Sequence, residues 1–338
     1  MTDSSSRGIP VWLWGIVLAA LGVAVALLVL SDRRRDPGES YRFDTTRFQQ
    51  ADGVPVAFAE TAKLETGLER VSALAVGPKG RFYVAGPATI AVYAPNGREA
   101  KRIEFDGTPN CLAVAPDGGI LVGLRDHVEE LDALGKAKST WESFGDEAYL
   151  TSITVGEEDV FVADAGHRRV ARLGRDGRLL GFLGEADPDR EIPGLIVPSP
   201  NLDVAIDPQG ALWVVNPGRH GLESYRADGT LASAWYRPSM APDGFCGCCN
   251  PTHIAFRSDG TLVTAEKGIA RVKLYSPDQA LLAIVAAPET FDPAAGAPLA
   301  ADLDPPIRDL AVDAEGRVLV LGSRDGVVRI FEETGGTP

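Results

Sequence analysis

The sequence predicts an all-β fold, a six-bladed β-propeller, with an N-terminal single transmembrane helix. Three observations lead there. First, Ile153–Gly177 reads as three short strands and turns through Asp176-Gly177 into a fourth. Asp-Gly between alternating apolar runs is a strong hairpin signal. Second, the pattern recurs. A small residue before the first turn marks six copies: Ala75, Ala113, Thr154, Ala205, Ala255 and Ala311. Their spacing, roughly 38 to 56 residues, is near the length of one propeller blade. Third, Ile9–Leu30 is a run of 22 residues without a charge.

The elements follow in order. Residues 1–8 form a short polar tail and 9–30 the transmembrane helix. At ~1.5 Å per residue such a helix spans a ~30 Å hydrocarbon core. Trp12 and Trp14 stand at one end, where interfacial tryptophans belong. A cleavable signal peptide would have an apolar region of about 7–15 residues behind a basic stretch. This run is longer and only Arg7 precedes it, so it is expected to remain as an anchor. Residues 31–50 are charged, contain Pro37 and Gly38, and read as a linker. The propeller is expected over 51–333, with a tail at 334–338. Blade 6 supplies strands near Ile307–Val312, Arg317–Leu321 and Val327–Phe331 and lacks a fourth. The alternating stretch Val54–Glu60 is expected to fill that place and close the ring.

Composition agrees with many tight turns: 37 glycines and 24 prolines. A net charge of −14 repels a nucleic-acid backbone, so no nucleic-acid partner is expected.

Val162-Ala163-Asp164-Ala165-Gly166-His167-Arg168-Arg169-Val170 resembles the repeat signature of NHL-repeat propellers, and Val263–Val272 matches it more weakly. The resemblance covers about residues 50–333. It implies the six-bladed fold and, for His167, a structural role. It leaves function open, because the family holds binding modules, scaffolds and some metal-dependent enzymes. Orientation is contested. Arg33-Arg34-Arg35 behind the span point the propeller to the cytoplasm by the positive-inside rule. The resemblance implies export, and a cysteine-rich loop agrees with an oxidising side. The expectation is a single-pass protein of the cell membrane with an extracytoplasmic propeller.

Long connections between blades, Gly184–Pro200, Arg237–Pro251 and Ala287–Pro306, should emerge on one face, where a protein or small-molecule partner is expected. The first strands should surround the axis. Two positions before each marker they carry Ala73, Cys111, Ser152, Asp203, His253 and Asp309. Asp203, His253 and Asp309 should therefore meet near one mouth of the channel. Asp164, Asn216 and Glu266 end second strands and should reach the same face. Carboxylates with an imidazole or amide suit a divalent cation; the other reading is hydrogen-bonding residues lining a wet channel.

Three of the four cysteines, Cys246, Cys248 and Cys249, crowd one connection. The second pair that a zinc knuckle needs is missing. A Cys246–Cys249 bond would do no more than stiffen the loop. The expectation is that the loop folds over the mouth and brings a thiol near His253, with Cys111 across the ring. An imidazolium there would make the thiol reactive or a ligand for copper or zinc. No HExxH, GxSxG or Walker loop is present. Three functions follow: a membrane-anchored binding or scaffold module, a metal-dependent hydrolase or lyase with its cation at the mouth, or a redox or metal-handling accessory protein.

Overall fold

The computed structural model describes residues 11–32, 51, 53–247, 249–291 and 305–335. The chain divides into two units, Met1–Asp44 and Thr45–Pro338. The first holds one helix, Val11–Asp32, with no acid in its first turn and no base in its last. Its described side chains, residues 12–25, are exposed. Among the described residues no helix is long and apolar enough to cross a membrane.

The second unit is a ring of six four-stranded antiparallel sheets. The repeat read first in the sequence folds as Leu150–Val155, Asp159–Asp164, Arg169–Gly174 and Leu179–Leu183. Its last turn needs Asp176-Gly177. Asp176 Oδ1 accepts from the Arg178 amide at 3.1 Å. Gly177 takes φ +81°, and a Cβ there would lie 2.6 Å from the Trp141 ring. Glycine supplies both the left-handed backbone and the close approach.

The innermost strands, Ala73–Gly77, Cys111–Val114, Leu150–Val155, Val204–Ile206, His253–Phe256 and Ile307–Val312, neighbour one another around the axis. Small residues at Ala73, Ala75, Ala113 and Ala205 let them approach. Apolar side chains of facing sheets fill the spaces between blades. One buried cluster lies at each of the six blade interfaces. Between blades 1 and 2, for example, Ala85, Ile90 and Val92 meet Leu112, Ile120 and Val122. A blade thus buries both faces only when both neighbours are present.

The ring closes through its first strand, but that strand lies later than the alternation suggests. It runs Phe58–Glu65 and pairs antiparallel with Val327–Glu333 in blade 6. The upstream half of Val54–Glu60 goes elsewhere. Val56 bridges in parallel to Ile284 of blade 5, whose amide donates to Pro55 O at 2.9 Å. Proline has no amide to give a ladder, so a full strand through Pro55 is disfavoured and a single bridge replaces it. Thr66 completes the junction, its hydroxyl donating to Gly326 O at 2.7 Å.

The connections entering blades and the turns between second and third strands share one face. The short turns between first and second strands lie on the other. On the long-loop face, Gly184–Pro200 holds a short 3₁₀ turn at Pro188–Arg190, capped by Asp187. The middle of Ala287–Pro306, residues 292–304, lies outside the described residues.

Candidate functional site

Asp203, His253 and Asp309 converge at the axis. His253 Nδ1 stands 3.8 Å from Asp203 Oδ2 and 3.7 Å from Asp309 Oδ1. Both separations exceed a hydrogen bond. The carboxylates are held instead by backbone amides. Asp203 Oδ2 accepts from Ile254 N at 2.7 Å and Oδ1 from Val204 N at 2.9 Å. Asp309 Oδ2 accepts from Leu74 N at 2.7 Å and Oδ1 from Leu310 N at 2.8 Å.

These contacts follow one rule. The side chain at the start of an inner strand reaches the amide next along on the following blade. Asp203 links blade 4 to blade 5, and Asp309 links blade 6 to blade 1 across the closure. Ser152 does the same more weakly, its hydroxyl accepting from Val204 N at 3.4 Å. Asp203, Asp309 and Ser152 are therefore stitches between blades.

Burial sets its charge. Asp309 is pushed up to about 8 by burial, with the neighbouring Asp203 adding to it. Burial also raises Asp203, although His253, Ser152 and the two amides pull it back. Burial lowers His253, partly offset by Asp203. Both shifts run towards the neutral forms, the carboxylic acid of Asp309 and the neutral imidazole of His253. Cys111 lies beside them, its thiol pushed up by burial and then by Asp309 and Asp203. A cavity of about 90 Å³ opens here, lined by Cys111, Thr151, Ser152, Asp203 and Asp309 among others.

Among the described residues no group of three or more His, Cys, Asp or Glu could hold a metal ion. The expected metal site is thus without support among the described residues.

Asp164, Asn216 and Glu266 do not join the ring. Each is buried; Asp164 and Asn216 tie their own blades to the connections that enter them, and Glu266 pairs within its blade. Asp164 accepts from Tyr149 N at 3.0 Å and pairs with His167 Nδ1 at 2.6 Å. Asn216 Oδ1 accepts from Ile196 N at 3.1 Å, and its amide donates to Glu223 Oε1 at 2.8 Å. Glu266 Oε1 accepts from Lys273 Nζ at 3.0 Å.

Two polar clusters escape a reading of the sequence alone. Glu223 is fully buried and accepts from Asn216 and from the Tyr225 and Tyr236 hydroxyls. Lys273, equally buried, spends its ammonium on Glu266, Pro242 O and Gly244 O. A signal for both is present: a charged residue two positions before the tyrosine that ends each third strand, in GLESY and RVKLY.

The cysteine loop is bound to this second cluster. Lys273 pins Pro242 and Gly244, and Phe245 packs against Trp235 at 5.4 Å. The charges bearing on Cys246 are Glu266, Lys273 and Arg271. His253 feels Asp203 and Arg308 and is held neutral. The charges bearing on Cys246 thus come from the Glu266 cluster, and the thiol among the ring residues is Cys111. Cys249 is buried, and Cys248 lies outside the described residues.

On the long-loop face, Tyr149 and Ile196 occupy equivalent positions over blades 3 and 4, each giving its amide to the end of a second strand. Both side chains point outward, 40% and 44% exposed. Tyr236 stands at the same rim, with the Arg219 guanidinium 5.9 Å from its ring. A larger cavity of about 520 Å³ opens on the short-turn face between blades 3 and 4. Phe161, Ile206 and Leu212 line it, with Glu157 and Glu158 at its edge. Two further carboxylates there are taken, Asp159 by Arg172 and Asp207 by the Trp213 indole.

No family model matches this chain, and no curated protein does. Solved structures do. A streptogramin B lyase superposes with TM-score 0.53 at 12% identity, covering 82% of this chain and 98% of that one. Selenomethionine-substituted virginiamycin B lyase from Staphylococcus aureus gives 0.55 at 14%, covering 81% and 98%. At these identities the likeness concerns fold alone. The chain is a six-bladed β-propeller, preceded among the described residues by the helix Val11–Asp32.

Proposed function

We propose that this chain is a membrane-anchored, NHL-like binding module that holds a protein partner on its long-loop face, outside the cytoplasm. The observation that carries the reading is the pair Tyr149 and Ile196. Two blades present exposed apolar side chains from equivalent positions on a rigid scaffold, which is how binding surfaces are commonly built. The anchor rests on the uncharged run 9–30.

A lyase-like reading has one observation in its favour, the convergence of Asp203, His253 and Asp309. Against it stand the stitched carboxylates and a mouth cavity of about 90 Å³, well below the ~300–1,000 Å³ of sites that take organic ligands.

The test is photo-crosslinking in host membranes. A photoreactive residue is placed in turn at 149, 196, 157 and 209. The first two sites should yield one discrete protein adduct and the last two none. Adducts from 157 or 209 alone would move binding to the short-turn cavity. A small-molecule adduct, or none at 149 and 196, would overturn the proposal.

A further inference from the structure

The connection entering blade 5 is built as a fixed turn that presents two cysteines. Asn250 closes it: the side-chain amide donates to Cys246 O at 2.5 Å and to Lys267 O at 2.9 Å. Its Oδ1 accepts from Lys267 N at 2.8 Å. Gly247 takes φ +84°, and the Asn250 contact to Cys246 O holds the two ends of this segment together. Below the turn, Phe245 is fully buried against Trp235 and Tyr275, and Lys273 holds Gly244. Cys246 and Cys249 therefore stand on one turn, three residues apart, with the base of that turn locked.

Their surroundings differ. Cys246 is partly exposed and Cys249 is buried. A partly exposed cysteine with a buried one three residues on is the C-x-x-C arrangement of dithiol chemistry. Burial, and then Glu266, push the Cys246 thiol up, and Lys273 and Arg271 offset this only in part.

We propose that Cys246 and Cys249 form a dithiol–disulfide pair that exchanges with the C-x-x-C of a thiol-disulfide partner protein. In the forward direction the Cys246 thiolate attacks the partner's disulfide. A mixed disulfide forms and one partner thiolate leaves. The Cys249 thiolate then attacks the Cys246 sulfur, and the second partner thiolate leaves. Two electrons pass to the partner, whose two sulfurs take up the two protons released. The reverse sequence regenerates the dithiol. The closed bond clips a turn that already packs on blade 5, so exchange proceeds on the folded chain.

The experiment uses the full chain in detergent, equilibrated across graded ratios of reduced to oxidised dithiothreitol, quenched in acid, alkylated and peptide-mapped. The peptide holding the loop should pass reversibly from alkylated Cys246 and Cys249 to an internal link between them. Cys246→Ser and Cys249→Ser should each remove the link and Cys248→Ser should keep it. Reduced thioredoxin, as the protein dithiol probe, should open the link in the folded chain. A peptide that stays alkylated throughout overturns the proposal, as does one that stays linked throughout. So does a link that survives Cys249→Ser, or one that dithiothreitol opens and thioredoxin does not. The wild-type map reads the pair directly, so the test stays decisive even where a variant fails to fold.

Discussion

Asp309 shows how one side chain can be both a stitch and a liability. It joins blade 6 to blade 1 by accepting from Leu74 N, and it sits close to Asp203 in a buried mouth. Its folded value, about 8, lies above the ~4 of an unfolded aspartate. A carboxyl raised in the folded state binds its proton more tightly there. Its contribution is fully present below pH ~4 and is lost as pH rises towards 8. His253 works the other way, because a lowered imidazole costs stability as pH falls below ~6.5. Asp309→Asn mimics the protonated carboxyl and keeps an acceptor for Leu74. Urea unfolding should find the variant gaining on wild type as pH rises from 5 to 8, by up to ~1.4 kcal/mol per pH unit. A difference that does not grow with pH would remove Asp309 from this role.

At the scale of elements, closure depends on one strand. Phe58–Glu65 covers the edge of blade 6, and Phe58 also enters the apolar cluster between blades 5 and 6. Removing residues 51–65 should expose the Val327–Glu333 edge, cut the Thr66 approach to Gly326 loose and broaden the thermal transition. Loss of a whole outer strand should cost several kcal/mol, given about 2–5 kcal/mol for deletion of one large buried apolar side chain. An unchanged, sharp calorimetric transition would count against closure by this strand. Much of this architecture is legible in the sequence. The six copies and their strands can be read because turn chemistry and apolar alternation repeat together. The ring of Asp203, His253 and Asp309 can be placed because register fixes which residues start the inner strands. What register cannot fix is where a side chain turns. Asp164, Asn216 and Glu266 hold the same position in three blades and find a histidine, a glutamate and a lysine respectively. Those partners lie beyond the second strand, on the turn after it in blade 3 and on third strands in blades 4 and 5. In blades 4 and 5 the same diagonal is kept while its polarity is exchanged, Asn216 with Glu223 and Glu266 with Lys273. A sequence holds the residues of both diagonals without saying that they meet. The closing strand departs from its expected place for a related reason: alternation marks Val54–Glu60, but Pro55 cannot serve in a ladder.

At the scale of the molecule, the question is what the propeller needs from the segment before it. The two units divide at Asp44 and Thr45. The propeller buries its apolar surface at its own six blade interfaces and closes with its own strand. The composition of residues 1–44 has a different logic: 22 uncharged residues between Arg7 and the Arg33-Arg34-Arg35 cluster. If they serve as a tether, function and folding separate cleanly. Deleting residues 1–44 should move the chain from the membrane fraction to the soluble fraction and leave its melting temperature unchanged. Placing charges in the run, as in Leu18→Asp with Val23→Asp, should have the same effect, because a charge at the centre of a span costs about 2.5–3.5 kcal/mol on insertion scales. Sidedness then follows from protease treatment of sealed, right-side-out vesicles. An extracytoplasmic propeller is exposed to added protease and is cleaved in the connections Gly184–Pro200 and Ala287–Pro306, while a cytoplasmic one is protected until detergent is added. Protection in intact vesicles would give the decision to the arginine cluster and withdraw the oxidising setting in which exchange at Cys246 and Cys249 is expected to operate.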